Sequence, residues 1–328
     1  MEGTPVPVLE GVTTFPTSGG AQFSISRNGS LLYAPGNSWG DDLRVISVDR
    51  EGRSRPLIET QRRFAHFRLS PDGSSLALAI DGANMSLWVY DISRATLSLL
   101  ASTFDSAAPV WSPEGNQVVF ASNRGATARN NLFLVAMDGS GEPEPLTTSD
   151  DGQIPYSWSP DGKTLVFLQQ GDIWTLSMDG GGASQPFLQT KSLEGGPLFS
   201  PNGKWLAYES DESGRNEIHM RPFPGPGRRW QVSTDGGTSP TWSASGDELF
   251  YRNGDKMMVV QVETEEELRL GNPRLLFERR SETNSYDVLP DGQGFVMVDD
   301  SEAAPPPTQL ILIQNWADEL KRLVPTDN

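Results

Sequence analysis

The residues able to do chemistry are few. The chain has no cysteine and only two histidines, His66 and His219. Thiolate nucleophiles, disulfides, zinc–thiolate sites and iron–sulfur clusters are therefore excluded. His66 stands four residues before Ser70-Pro71-Asp72-Gly73, and comparable polar residues stand ahead of similar turns elsewhere: Gln22, Arg63, Asp105, Gln153, Glu194, Thr238, Glu282 and Asn284. Arg68 and Asp287 lie two residues before their turns. Carboxylate and amide oxygens suit a hard cation such as calcium, and an imidazole with two carboxylates suits zinc. A cation held by His66, Asp105 and Glu194 could polarise an ester, lactone or phosphotriester oxygen, or lower the pKa of a bound water. These three are thus both the catalytic candidates and the metal-ligand candidates. The same positions could instead bind a small molecule or peptide (Gln22, Arg63, His66, Arg68, Gln153, Glu194, Glu282, Asn284 and Asp287), or merely line a water-filled channel.

For residues so far apart in sequence to meet, a repeating frame must bring them together. Trp158-Ser159-Pro160-Asp161-Gly162-Lys163-Thr164-Leu165-Val166-Phe167 reads as strand, tight turn, strand. Proline presets φ, aspartate bonds its own backbone, and glycine takes φ > 0. The unit recurs with turn glycines at 29, 73, 115, 162, 203, 246 and 292, spaced 41 to 47 residues apart. A strand-based period in the forties means a β-propeller, here an all-β fold of seven blades. Each module supplies an inner strand ending at the turn, two further strands and an outer strand with a Pro-apolar pair. The seventh lacks its fourth strand. The segment 4–9, Thr4-Pro5-Val6-Pro7-Val8-Leu9, has the fourth-strand pattern, so it is expected to complete the last blade and close a propeller spanning 1–314. The residue before each turn is apolar: Ile25, Leu69, Trp111, Trp158, Phe199, Trp242 and Val288. These should pack blade against blade, since one sheet cannot bury both faces alone. Inner strands around one axis would gather these polar residues, from Gln22 to Asn284, at the channel mouth. His219, on a third strand, should lie away from it, between strands or at the surface.

The tail 315–328 reads as a short helix. Trp316, Leu320 and Leu323 share a face, acids fall in the first turn and bases in the last, Asn315 caps it, and Pro325 ends it. The 43 acidic and 26 basic residues leave a net charge of −17, which opposes binding to nucleic acid or anionic membranes. No stretch approaches 18 apolar residues, and 1–30 has no apolar signal core. The expectation is a soluble monomer.

The Trp-Ser-Pro-Asp-Gly-Lys-x-Leu-x-Phe repeat resembles the TolB-like, or PD40, WD40-like β-propeller repeat. The stretch Ser210-Asp211-Glu212-Ser213-Gly214-Arg215-Asn216-Glu217-Ile218-His219-Met220-Arg221-Pro222-Phe223-Pro224-Gly225-Pro226-Gly227, with Trp230-Gln231-Val232-Ser233 and the Asn315-Trp316 tail, is similar to the C-terminal propeller region of acidobacterial-type serine/threonine protein kinases. The resemblance implies a sensor or binding module on the extracytoplasmic face of a bacterial cell, with a ligand or protein partner. The chain departs from that family in having no Gly-x-Gly-x-x-Gly loop, His-Arg-Asp or Asp-Phe-Gly, so phosphoryl transfer is not expected. His219 stands where that family would have tyrosine. The prolyl-peptidase arrangement needs an α/β-hydrolase domain, for which no length remains, and there is no His-Glu-x-x-His or EF-hand loop. Propellers resembling the gluconolactonase and paraoxonase types hydrolyse lactones and phosphotriesters through a channel metal. Their motifs are not present here, so that analogy rests on fold alone.

Overall fold

The computed structural model describes residues 8–9, 11–15, 20–36, 43–82, 84–125, 127, 129–179, 182–264, 267–280, 285–299 and 309–323. All seven turns form as expected. Their glycines have φ between 67° and 79°. In each, the glycine N–H donates to the carbonyl three residues earlier at 2.8–3.0 Å, from Gly29→Ser26 to Gly292→Leu289. In the central example, Ser159 Oγ donates to Asp161 Oδ1 at 2.6 Å and accepts from Thr164 N at 2.9 Å, while Asp161 Oδ1 also accepts from Lys163 N at 3.1 Å. The Ser70–Asp72 turn repeats this, and Asn202 takes the aspartate's place beside Ser200.

These turn carboxylates make stability acid-sensitive. The Ser70 hydroxyl holds Asp72, and the Ser159 hydroxyl holds Asp161, below the usual carboxylate range. A depressed folded pKa gives stability that is complete above the unfolded value of about 3.9 and is lost as pH falls through the folded value. Asn202 shows that asparagine fits the turn. Asp72→Asn with Asp161→Asn should therefore keep the fold and show a smaller loss of urea midpoint between pH 5 and pH 2 than the parent. An identical loss in both would remove these two groups from the acid response.

The chain separates into residues 44–301 and a second unit of residues 1–43 with 302–328. Within 44–301, six sheets form a closed ring, because their inner strands neighbour one another in succession and the last returns to the first. Blade one is Phe64–Leu69, Ser75–Ile80, Ser86–Asp91 and Thr96–Ala101. Blade two is Ser106–Trp111, Gln117–Ser122, Asn131–Ala136 and Glu144–Pro145. Blade three is Gln153–Trp158, Thr164–Gln169, Asp172–Ser177 and Ser184–Leu188. Blade four is Glu194–Phe199, Trp205–Ser210, Glu217–Pro222 and Trp230–Gln231. Blade five is Thr238–Trp242, Glu248–Asn253, Lys256–Glu263 and Arg274–Glu278, with Arg269–Leu270 also paired to its third strand.

Blade six corrects the expected closure. Its strands are Tyr286–Val288, Gly294–Asp299, Arg44–Asp49 and Ser54–Ile58. The seventh module's first two strands thus pair with the first module's last two, in a register running from Gly294↔Asp49 to Asp299↔Arg44. Seven turns therefore produce a ring of six. The proposed closing strand 4–9 lies mostly outside the described residues, and Val8 and Leu9 form no strand. The remaining strands of those two modules meet each other instead. Leu31–Tyr33 pairs with both Phe23–Ile25 and Ile311–Ile313 in a three-stranded sheet of the other unit.

The physical reason lies in the strands themselves. Arg44–Asp49 offers six residues with Val45, Ile46 and Val48 almost wholly buried. Ile311–Ile313 offers three, after Pro305-Pro306-Pro307, which have no N–H to give a ladder. The same division corrects the reading of Ile25, which is 56% exposed, whereas Leu69, Trp111, Phe199, Trp242 and Val288 are no more than 9% exposed. Trp158 is half-buried against a core cluster that includes Val119 and Leu165. The tail helix forms over Trp316–Leu323 with Trp316 buried. The backbone carbonyl of Asn315, not its side chain, accepts from Asp318 N.

Candidate functional site

The inner strands of the first five blades all carry a β-bulge, breaking register between Phe64/His66, Ala107/Val110, Pro155/Ser157, Gly195/Leu198 and Thr238/Thr241. In three of them a residue with φ of 50° to 54° precedes a proline: Ala108, Gly196 and Ser239. A bulge leaves one residue unpaired and re-aims its neighbours. Here it turns strand segments toward the axis of the ring.

Hydrogen bonds cross between blades near that axis. Trp111 Nε1 donates to Arg68 O at 3.0 Å, Phe199 N to Ser157 Oγ at 3.2 Å, and Ser239 N to Glu209 Oε1 at 2.8 Å. Tyr286 Oη donates to Ser239 O at 2.7 Å. Leu69 N donates to Asp287 Oδ2 at 2.9 Å, which joins the last blade to the first.

Two recesses occupy the channel. The residues two before the turns, Arg68, Val110, Ser157, Leu198, Thr241 and Asp287, line a turn-side recess of about 280 Å³ whose outer wall is proline and aromatic. Toward the other end lies a more polar cavity of about 320 Å³, lined by His66, Arg68, Tyr156, Glu209, Ser239, Ser285 and Tyr286 among others. Arg68, Tyr156, Leu198 and Thr241 border both. His66 stays open to solvent in the channel, and the protein around it and the nearby Arg68 charge lower its pKa. Enclosure raises the pKa of Glu209, and the Ser239 N–H opposes that rise. Burial also raises Asp287, against the pull of Arg68 and of the N–H groups of Leu69 and Val288.

The structure brings His66, Arg68 and Asp287 to the channel and holds Gln153, Glu194, Asp105 and Arg63 in other contacts. Gln153 is buried, donating to Gln169 Oε1 at 2.8 Å and accepting from Thr147. Glu194 is buried, its Oε1 accepting from Thr190 Oγ1 at 2.7 Å, and burial raises its pKa. Asp105 is exposed and accepts from Met85 N at 2.9 Å and Asn123 Nδ2 at 3.2 Å. Arg63 approaches Asp81 at 3.9 Å. Gln22 belongs to the other unit, where its N–H donates to Thr13 O at 2.8 Å. Glu282 and Asn284 lie outside the described residues. His66, Asp105 and Glu194 therefore do not share one site, and the described residues contain no cluster of three His, Asp or Glu side chains able to hold a metal. Position −6 relative to the turn, held by Gln153 and Glu194, fastens loops between strands rather than facing the axis. His219 is buried between strands, opposite Tyr208.

Glu209 is the residue that sequence reasoning missed. It sits on a second strand, at the position occupied by Ala79, Ala121, Leu168 and Val298 in other blades. Its reach into the channel depends on the facing Gly195-Gly196, since a Cβ on Gly196 would lie 2.8 Å from Glu209 Oε1. The signal was a carboxylate, opposite two glycines, at a repeat position that is apolar in four of the five other blades and Arg252 in the fifth. The sequence also contains Gly36-Asn37-Ser38-Trp39-Gly40, which has the spacing of a hydrolase nucleophile elbow. Residues 37–40 lie outside the described residues, and the one helix among the described residues is the eight-residue Trp316–Leu323.

No family model matches the chain. It is 25% identical over 299 residues to an uncharacterised protein of Agrobacterium fabrum, covering 82% of this chain and 95% of that one. A structure described as a TolB of Agrobacterium tumefaciens superposes with a TM-score of 0.64 at 20% identity, covering 79% of this chain and 98% of that one. TolB from Acinetobacter baumannii gives 0.55 at 16%, covering 74% and 68%. An oligogalacturonate lyase in complex with manganese gives 0.51 at 14%, covering 90% and 81%. The chain has a TolB-like β-propeller fold. No helix among the described residues is long and apolar enough to cross a membrane.

Proposed function

We propose that this propeller is a non-catalytic binding and sensing module that takes a small molecule or peptide in its central channel, at the end away from the Ser-Pro turns. The observation that carries this reading is the polar cavity of about 320 Å³, lined by His66 and Arg68 of a bulged inner strand and by Glu209 of a second strand. Its size falls at the lower end of the range of about 300–1,000 Å³ usual for small-ligand sites. The TolB-like fold supports a binding role, including one toward a protein partner. The resemblance of residues 210–233 to receptor-kinase propellers supports placement outside the cytoplasm and action as a monomeric sensor. A hydrolase using His66, Asp105 and Glu194 on calcium or zinc is the weaker reading, because those side chains are held in three separate places.

The test is a thermal-shift screen of amino acids, short peptides, sugar acids and divalent cations on the full chain, with hits measured calorimetrically. A channel ligand should bind at least ten-fold more weakly to His66→Ala or Tyr156→Ala, about 1.4 kcal/mol, and equally well to Leu310→Ala in the other unit. Hits indifferent to both channel substitutions would overturn the proposal. So would chelator-sensitive turnover of an ester or phosphotriester.

A further inference from the structure

Resting on the reading that the channel binds a ligand, we infer that the ligand is a zwitterion of the α-amino acid or dipeptide type, its carboxylate on Arg68 and its ammonium on Glu209. Both side chains line one cavity, and they do not pair with each other within 4.0 Å. Among the described residues the Arg68 guanidinium makes no hydrogen bond and no ion pair within 4.0 Å; it attracts the Asp287 carboxylate without bonding to it. A guanidinium carries five donors in a planar fork that matches a carboxylate in bidentate fashion. Glu209 accepts one hydrogen bond, from Ser239 N to Oε1, and Oε2 has no partner among the described residues.

Half-buried charges that no side chain hydrogen-bonds gain from a ligand that supplies the missing partner. A ligand with a single charge would satisfy one of the two and leave the other. A neutral ligand would satisfy neither. A zwitterion meets both and brings no net charge into the channel. The field of the whole chain points the same way, since a net charge of −17 repels a simple anion from the mouth and does not repel a zwitterion. Asp287, the other channel carboxylate, is engaged through both oxygens, by Leu69 N at 2.9 Å and Val288 N at 3.0 Å, so Glu209 is the carboxylate left for an ammonium. The hydroxyls of Ser239 and Ser285 remain for the amide of a dipeptide.

The experiment is isothermal calorimetry on the full chain with L-leucine, L-glutamine, L-phenylalanine and glycyl-L-leucine. It is run beside N-acetyl-L-leucine and N-acetylglycyl-L-leucine, which keep only the carboxylate, and L-leucinamide and glycyl-L-leucinamide, which keep only the ammonium. At least one zwitterion should bind, with both single-charge counterparts at least ten-fold weaker. Arg68→Gln and Glu209→Gln should each weaken it at least ten-fold. If either variant fails to fold, the zwitterion and blocked-probe comparison on the parent protein decides. An N-acetylated probe binding as well as its parent would remove Glu209 from recognition, and an amide binding as well would remove Arg68; either result overturns the inference. Silence from every probe, together with another channel-dependent ligand from the screen, overturns the inference and leaves the binding reading intact. No channel ligand of any kind removes both.

Discussion

A chain that begins at residue 60 will not form the ring. This truncation removes Arg44–Asp49 and Ser54–Ile58, the two strands that complete the sheet begun by Tyr286–Val288 and Gly294–Asp299. Val45, Ile46 and Val48 are 0–3% exposed. Full burial of each such side chain contributes about 1.5–3 kcal/mol. Three of them approach the whole net stability of an ordinary domain, about 5–15 kcal/mol. The remaining two-stranded sheet would also present a new hydrogen-bonding edge. The expected result is loss of the cooperative thermal transition, with aggregation in its place. Deleting residues 1–10 leaves all four strands of that sheet intact and should shift the melting temperature only by the few degrees that about 1 kcal/mol produces. The reverse ranking, with the short deletion as damaging as the long one, would show that 4–9 carries closure after all.

Phe295→Ala should cost about 3–5 kcal/mol, the range for truncating a fully buried phenylalanine. Phe295 is 0% exposed at the centre of the closing sheet. Its ring meets Phe250 at 5.1 Å, Phe277 at 5.6 Å and Tyr286 at 6.1 Å in edge-to-face arrangements. Phe250 and Phe277 come from blade five and Tyr286 from blade six, so the cavity left behind opens between those blades, on the strand that pairs with Arg44–Asp49. Urea unfolding followed by tryptophan fluorescence measures the loss directly. The control is Phe23→Ala. Phe23 is 55% exposed in the other unit, and its replacement should stay within about 0.5 kcal/mol of the parent. A Phe295 cost below about 1 kcal/mol would mean that the seam repacks without it.

Much of the local architecture was legible in the sequence. The Ser-Pro-Asp-Gly turns, their glycine φ values and the strands beside them follow from residue chemistry acting over a few positions, and all seven formed. Burial of Leu69, Trp111, Phe199, Trp242 and Val288 followed from their shared position before each turn. The site was legible only in part. His66, Arg68 and Asp287 do line the channel, because the position before the turn fixes the facing of an inner strand. Asp105, Gln153 and Glu194 were not, because the bulges at Ala107/Val110, Pro155/Ser157 and Gly195/Leu198 interrupt the two-residue alternation. Beyond a bulge, counting by twos no longer tells which way a side chain faces.

By itself, then, the sequence determined the repeat: a strand, a turn and a strand, made again and again by short-range dihedral and hydrogen-bond preferences. The tertiary structure alone decided how many repeats enter the ring, and which. Seven turns yielded six blades because the end modules competed for partners. The six-residue strand Arg44–Asp49 won the place beside Gly294–Asp299, while the three-residue Ile311–Ile313 went to Leu31–Tyr33. That choice depends on buried area and register between segments some 250 residues apart, which no local pattern encodes. The same holds for the channel. Arg68 and Glu209 come into one cavity only because blades one and four stand around the same axis and Gly195-Gly196 leave room for the Glu209 side chain.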